Sequence, residues 1–341
     1  MVNSSKTPPL EALREAAPAQ TWWLSPTAIA HAAFVPTGIV TVLLGPVLPT
    51  LSARWALSDA QAGELFTAQF LASTLGVALS GVLVPRLGYR VAIVLGLVFM
   101  AAGVAALPLG SRLLGMTAVA GYGIGLGLTI PACNLLVAEV NPGKRAAAVS
   151  LLNFSWSVGA VACPFLLAPF QHKGDIANFF YALAGFALLI AILLARVAFP
   201  QPARSSQLPS ANVQPLLRML RSRIAIVLGT LFFVYVGTEN AMGGWLASYA
   251  KRLSDTPGTL WVTAPSFFYA GLLAGRALAP VFLRWMVELR LARISMTCAL
   301  VGMIALLAVH SVAGVMMSAA VIGLGFAAMY PITISLLSSN F

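Results

Sequence analysis

The chain has 341 residues, 60 % of them hydrophobic and only 9 % charged, with a formal net charge of +11 and a mean hydropathy of +0.91. A soluble domain carries about 25 % charged residues, so this composition cannot cover a water-facing surface, and it excludes an ordinary soluble protein. The basic balance alone would also fit a nucleic-acid binder, but no zinc-finger spacing and no interleaving of basic and aromatic residues accompanies it, and nucleic acid is excluded as a partner.

Residues 1–27 form a tail ahead of the first apolar run. Glu11 and Glu15 sit among Pro8, Pro9 and Pro18, which is unlike a cleaved signal peptide. Trp22 and Trp23 then fit the start of an interfacial aromatic belt. From there apolar stretches of spanning length recur. Residues 91–111, 113–138, 146–172 and 176–195 contain no Asp, Glu, Lys or Arg. Crossing hydrocarbon takes about 20 helical residues, and the pattern predicts ten spans: 28–50, 62–84, 91–109, 113–137, 147–170, 177–197, 224–249, 260–283, 290–309 and 312–337. Fifteen of the 20 Lys and Arg residues fall on the side that holds the N-terminus, with Arg276 counted among them. An excess of Lys and Arg marks the cytoplasmic side. The expectation is therefore a multi-pass protein of the cell membrane (the inner membrane of a bacterium), N-terminus in the cytoplasm, with lipid as its neighbour.

The stretch 198–223, rich in Pro, Ser and Arg, separates a six-helix bundle at 28–197 from a second group at 224–341. The two sides share features. Gly76 and Pro85 in span 2 match Gly271 and Pro280 in span 8, at an offset of 195. Gly123, Gly125 and Pro131 in span 4 match Gly323, Gly325 and Pro331 in span 10, at an offset of 200. Duplicated halves are a common transporter plan. Six spans precede the linker and four follow it, so a matching second half would need two more, and the chain reads as C-terminally incomplete.

The chemistry-bearing residues lie inside these spans. Glu239, in YVGTENAMGGWLASY (235–249), is a carboxylate in a long apolar run. An acidic residue there costs roughly 3 kcal/mol on insertion scales, which points either to proton handling or to pairing with a neighbouring helix. Asn153 and Trp156 are three apart and share a helix face; amide plus indole suits a hydroxylated solute, with interhelical packing as the alternative. Asn134, Gln69 and Asn240 are similar cavity candidates. Trp245 is either a cavity ring or part of an outer aromatic belt. His31 reads as structural. The glycines at 121, 123, 125 and 127 lie in an apolar helix, without the preceding strand of a dinucleotide site, and read as close helix packing. Cys133, Cys163 and Cys298 form no CxxC, so neither a metal nor a disulfide is expected. No catalytic set shares one depth and no P-loop occurs, so neither an enzyme nor an ATP-driven pump is expected, and no cofactor.

LLGPVLPTLSARWALSDAQAGELFTAQFLASTLG (43–76) followed by GVLVPRLGYR (81–90) resembles the first two spans and loop signature of the major facilitator superfamily, with Gly81, Arg86, Gly88 and Arg90 matching. Pro85 stands where the family has an Asp that latches the cytoplasmic gate. GLGLTIPACN (125–134), SLLNFSWSVGAVACPF (150–165), FYAGLLAGR (268–276) and GLGFAAMYPI (323–332) resemble the fucose permease and sugar–proton symporter group. Where fucose permease has a carboxylate in span 4, this chain has Ile130 or Pro131 ahead of Asn134. The resemblance implies an all-α, two-bundle carrier of twelve spans, six plus four of which are present here. It implies a monomer that moves a small polar solute, a sugar or related compound, together with H⁺ by alternating access. Efflux of an amphipathic organic compound is one alternative, and a non-transporting fragment or membrane scaffold is another.

Overall fold

The computed structural model describes residues 25–197, 222–254, 258–329 and 332. Residues 1–24 of the predicted tail, residues 198–221 of the linker and most of the end of the tenth span lie outside the described residues, and α1 takes in Pro26 and Thr27 of the predicted tail. Among the described residues eleven α-helices follow one another: α1 (Pro26–Val42), α2 (Leu44–Trp55), α3 (Asp59–Leu87), α4 (Tyr89–Ala106), α5 (Arg112–Val140), α6 (Arg145–His172), α7 (Ile176–Ala195), α8 (Arg223–Arg252), α9 (Ala264–Phe282), α10 (Glu288–Ala308) and α11 (Val312–Phe326). Short 3₁₀ turns cover Leu107–Leu109 and Leu260–Thr263. No strand occurs among the described residues.

Six of these helices are long and apolar enough to cross a membrane, seven if α1 and α2 count together as one bent span. Helices α8 and α9 occupy the predicted spans 224–249 and 260–283, and α11, at 15 residues, occupies the first part of 312–337. The first predicted span is broken at Leu43, with a 43° bend between α1 and α2. Pro46 has no N–H to offer the Val42 carbonyl, and Leu43 N–H turns back to Val40 instead, at 3.4 Å. The loop signature is also tighter than expected. Gly81 and Arg86 lie within α3, Arg90 lies in the first turn of α4, and only Gly88 separates the two helices. Its φ of 87° is a conformation that favours glycine.

Local signals set the helix starts. Ser58 and Gln61 form a reciprocal capping box on α3, and Ser25 and Ser311 cap α1 and α11. The helices then pack through small residues. A methyl at Gly76 of α3 would lie 2.4 Å from the Ile124 carbonyl oxygen of α5, and one at Gly271 of α9 would lie 2.1 Å from the Ala320 carbonyl oxygen of α11. The equivalent glycines seen in the sequence thus make equivalent contacts, α3 on α5 and α9 on α11. Outward, Leu71 and Leu75 of α3 are 64 % and 62 % exposed. Only hydrocarbon solvates such a surface without penalty.

Helices α1–α7 pack chiefly among themselves, as do α8–α11, and the two groups meet along α2–α8 and α6–α9. These contacts gather toward the end that carries the α2–α3 and α8–α9 connections. A methyl at Gly45 would lie 2.6 Å from the Gly243 carbonyl oxygen. Phe66 packs on Trp245 with ring centroids 6.0 Å apart, and Asp59 pairs with Arg252 at 2.5 Å. Ser266 donates to the Val161 carbonyl at 2.8 Å, and Phe267 meets Phe165 edge-on at 6.3 Å.

Candidate functional site

Glu239 does not stand alone. It lies 16 residues into α8, about 24 Å along the helix axis at 1.5 Å per residue. Tyr235, one turn earlier, donates its hydroxyl to one carboxylate oxygen. Arg276 of α9 brings its guanidinium to 3.8 Å from the other. The side chains are 17 % and 29 % exposed, so the pair borders accessible space rather than being sealed in protein. Arg276 is therefore no loop residue. It sits inside the apolar α9, and the basic excess on the N-terminal side falls to fourteen residues against five. The signal was present in the predicted span 260–283, which contained Arg276: two opposite charges in neighbouring apolar runs have strong reason to meet.

The match of α8 and α9 continues for another two turns. Tyr269 lies two turns before Arg276, and its hydroxyl abuts Gly243, where an added methyl would come within 2.1 Å of it. Gly243 is one turn beyond Glu239. Two antiparallel helices thus place Glu239 against Arg276 and Gly243 against Tyr269, and the missing side chain at Gly243 admits the phenol.

Trp156 of α6 meets the edge of Tyr269, with centroids 6.4 Å apart and planes at 85°. Its indole N–H donates to the Thr41 hydroxyl at 3.2 Å. Asn153 and Asn134 join α6 to α5 through a 3.4 Å amide contact, and each also donates to a carbonyl one turn back in its own helix. Asn153 is exposed. An amide has two donor hydrogens and two acceptor lone pairs, so the pair keeps capacity for a solute hydroxyl.

The other candidates are placed differently. Gln69 is 2 % exposed, and its amide is committed to Thr41 and Tyr122, so it braces α3 against α1 and α5. Asn240 donates to the Val236 carbonyl of its own helix. Trp245 belongs to the contact with Phe66 rather than to the Glu239 group. His31 shares a 2.7 Å hydrogen bond with Ser155, which joins α1 to α6. Tyr235, Tyr269, Thr41 and Arg276 are the residues that sequence reasoning missed. Three are single hydroxyl-bearing residues in apolar helices, and nothing local distinguishes them from packing residues. Tyr235 also lines a cavity of about 270 Å³, together with Leu231, Val234, Thr238, Met303 and Phe326 among others. It is apolar and opens between α8, α10 and α11.

These features define a class of protein first: an all-helical, multi-pass membrane protein with polar groups gathered inside its helix packing. The chain belongs to the Major Facilitator Superfamily, whose profile matches residues 31–341. It is similar to the uncharacterized MFS-type transporter YfkL of Bacillus subtilis, 24 % identical over 316 residues that cover 89 % of this chain and 78 % of that one. It is similar also to a gallate transporter of Pseudomonas putida, 26 % identical over 69 % of this chain and 52 % of that protein, so the chain spans about half of that relative's length. Among solved structures, the xylose transporter XylE from E. coli, in a partially occluded inward-open conformation, has the same fold. Its TM-score is 0.70 at 19 % identity, covering 92 % of this chain and 84 % of that one.

Proposed function

We propose that this chain is a proton-coupled secondary transporter for a small polar solute, a sugar or related compound. It works as a monomer by alternating access, with a bundle at 28–197 rocking against the group that begins at 224. The observation that carries the reading is the Glu239–Arg276–Tyr235 cluster: a protonatable carboxylate inside an apolar helix, within reach of accessible space. Asn134, Asn153 and Trp156 supply hydroxyl partners and a flat ring on the facing side. The fold is shared with a xylose transporter, which supports a sugar-like cargo, and the gallate transporter among its relatives shows how far cargo varies at this distance.

The basic residues favour a cytoplasmic N-terminus. The end where α2 meets α8 and α6 meets α9 is then the outer one, and the two helix groups close on each other there. The inner gate would close around Gly81, Arg86, Gly88 and Arg90 without the usual Asp, because Pro85 offers no carboxylate to an arginine.

The apolar cavity beside Tyr235 supports a second reading, efflux of an amphipathic compound. Proteoliposomes separate the two. Uptake of a radiolabelled sugar under an imposed proton gradient supports symport, and gradient-driven extrusion of a hydrophobic dye supports efflux. In the symport case Glu239→Gln abolishes pH-dependent transport while the protein still inserts into the membrane. Unchanged proton coupling in that variant removes Glu239 from the mechanism.

A further inference from the structure

The ion pair has a consequence for the cargo. An arginine keeps its charge at any working pH. If Glu239 takes up a proton while the cargo is neutral, Arg276 remains as an uncompensated, half-buried cation among apolar helices, which costs free energy though less than in a fully buried pair. A carboxylate on the cargo removes that cost. The existing contact leaves room for it. At 3.8 Å, Arg276 is outside hydrogen-bond reach of Glu239 and faces only one carboxylate oxygen, since Tyr235, which also lies beside the guanidinium, holds the other. A guanidinium binds a free carboxylate with two parallel N–H bonds. At 29 % exposure its side chain is reachable.

We propose that Arg276 exchanges anions: a carboxylate on the transported solute takes the place of Glu239 beside Arg276, Glu239 takes one proton from the water on the open side, and the solute is a hydroxylated monocarboxylate rather than a neutral sugar. This rests on Glu239 being the coupling residue. The charges balance. Empty, the site holds Arg276⁺ and Glu239⁻; loaded, it holds Arg276⁺, the solute carboxylate and neutral Glu239. The site is neutral in both states, so one anion and one proton cross together with no net charge movement. The surroundings leave few competitors. From α9, Arg276 and Tyr269 face the carboxylate. Helix α2 carries only Arg54, whose guanidinium is bound to the Pro108 carbonyl at its far end. Neither α11 nor Leu260–Thr263 has an ionisable side chain, and Glu288, Arg290 and Arg293 of α10 lie in its first two turns, before the 296–303 stretch that lines the cavity beside α8. On α8 itself Tyr235 is bound to Glu239, and Lys251 and Arg252 lie three turns or more beyond.

The test uses the full chain in proteoliposomes, with labelled D-xylonate, D-gluconate and D-galactonate beside D-xylose, D-glucose and D-galactose. The expected result is aldonate uptake driven by an inward proton gradient and unaffected by a potassium–valinomycin potential. Aldonate affinity, read from tryptophan fluorescence, weakens by up to about tenfold per unit rise in pH, because one proton binds with each anion. Glu239→Gln binds at the tight, low-pH level across the range. Arg276→Lys keeps the charge but loses the paired N–H edge, and binds aldonates at least tenfold more weakly while its folding is checked by gel filtration. Proton-coupled uptake of neutral sugars with aldonates excluded overturns the exchange and leaves the transport reading standing. Aldonate uptake that responds to membrane potential overturns the one-for-one balance. If neither class moves, both readings fall.

Discussion

Gln69 of α3 donates its side-chain amide to the main-chain carbonyl of Thr41, 3.1 Å away, two residues before the first span breaks. Its amide oxygen accepts the Tyr122 hydroxyl at the same distance. One buried side chain thus holds a helix bend to two neighbours. Gln69→Leu leaves the Tyr122 hydroxyl and the Thr41 carbonyl without these partners, at a cost of about 1–3 kcal/mol. Thermal unfolding in detergent should occur at lower temperature, with the solute KM unchanged. A raised KM with unaltered stability would return Gln69 to the solute site.

The close approach of Gly45 and Gly243 is expected to hold the α2–α8 contact shut. Gly45→Leu places several carbons where backbone already lies and should wedge that end open. Ser266→Cys is a suitable reporter because it is buried at the neighbouring α6–α9 contact. Labelling by a membrane-impermeant maleimide should rise severalfold when Gly45→Leu is added, and equal labelling in both backgrounds would count against a gate there.

Asn134 and Asn153 touch at 3.4 Å and are expected to bind the solute as a unit. Each alanine variant should raise KM by roughly tenfold, the effect of about 1.4 kcal/mol. The double variant should show less than the product of the two, since residues in one hydrogen-bond network couple. Multiplicative effects would mean independent roles.

The Asp59–Arg252 pair joins the two helix groups, yet its side chains are 67 % and 63 % exposed. Exposed pairs contribute about 0–1 kcal/mol. Asp59→Asn should therefore shift unfolding by less than about 1 kcal/mol, and a larger loss would assign this end of the molecule a polar latch.

The glycine pattern illustrates how much of the packing the residues alone disclose. Gly76 and Gly271 stand out because close packing demands the same small residue at the same place in each repeat, and their contacts with α5 and α11 correspond. The bend at Leu43 was less legible. Pro36, Pro46 and Pro49 all allow a break, and sequence does not rank them. Glu239 was conspicuous by its cost, and Asn134 and Asn153 by their chemistry. Gln69 was equally conspicuous, and its partners turned out to be Thr41 and Tyr122.

Hydropathy is a local property that adds along a chain, so the residues alone settle the solvent, the helical class and the position of most spans. Partnership is different. Whether Glu239 is a lone carboxylate or half of an ion pair depends on which face of α9 turns toward α8, and that rotation is set by glycines and rings distributed over many turns. Tertiary packing decided that Arg276 faces Glu239, that Tyr269 fills the space left by Gly243, and that Trp245 joins the contact between helix groups.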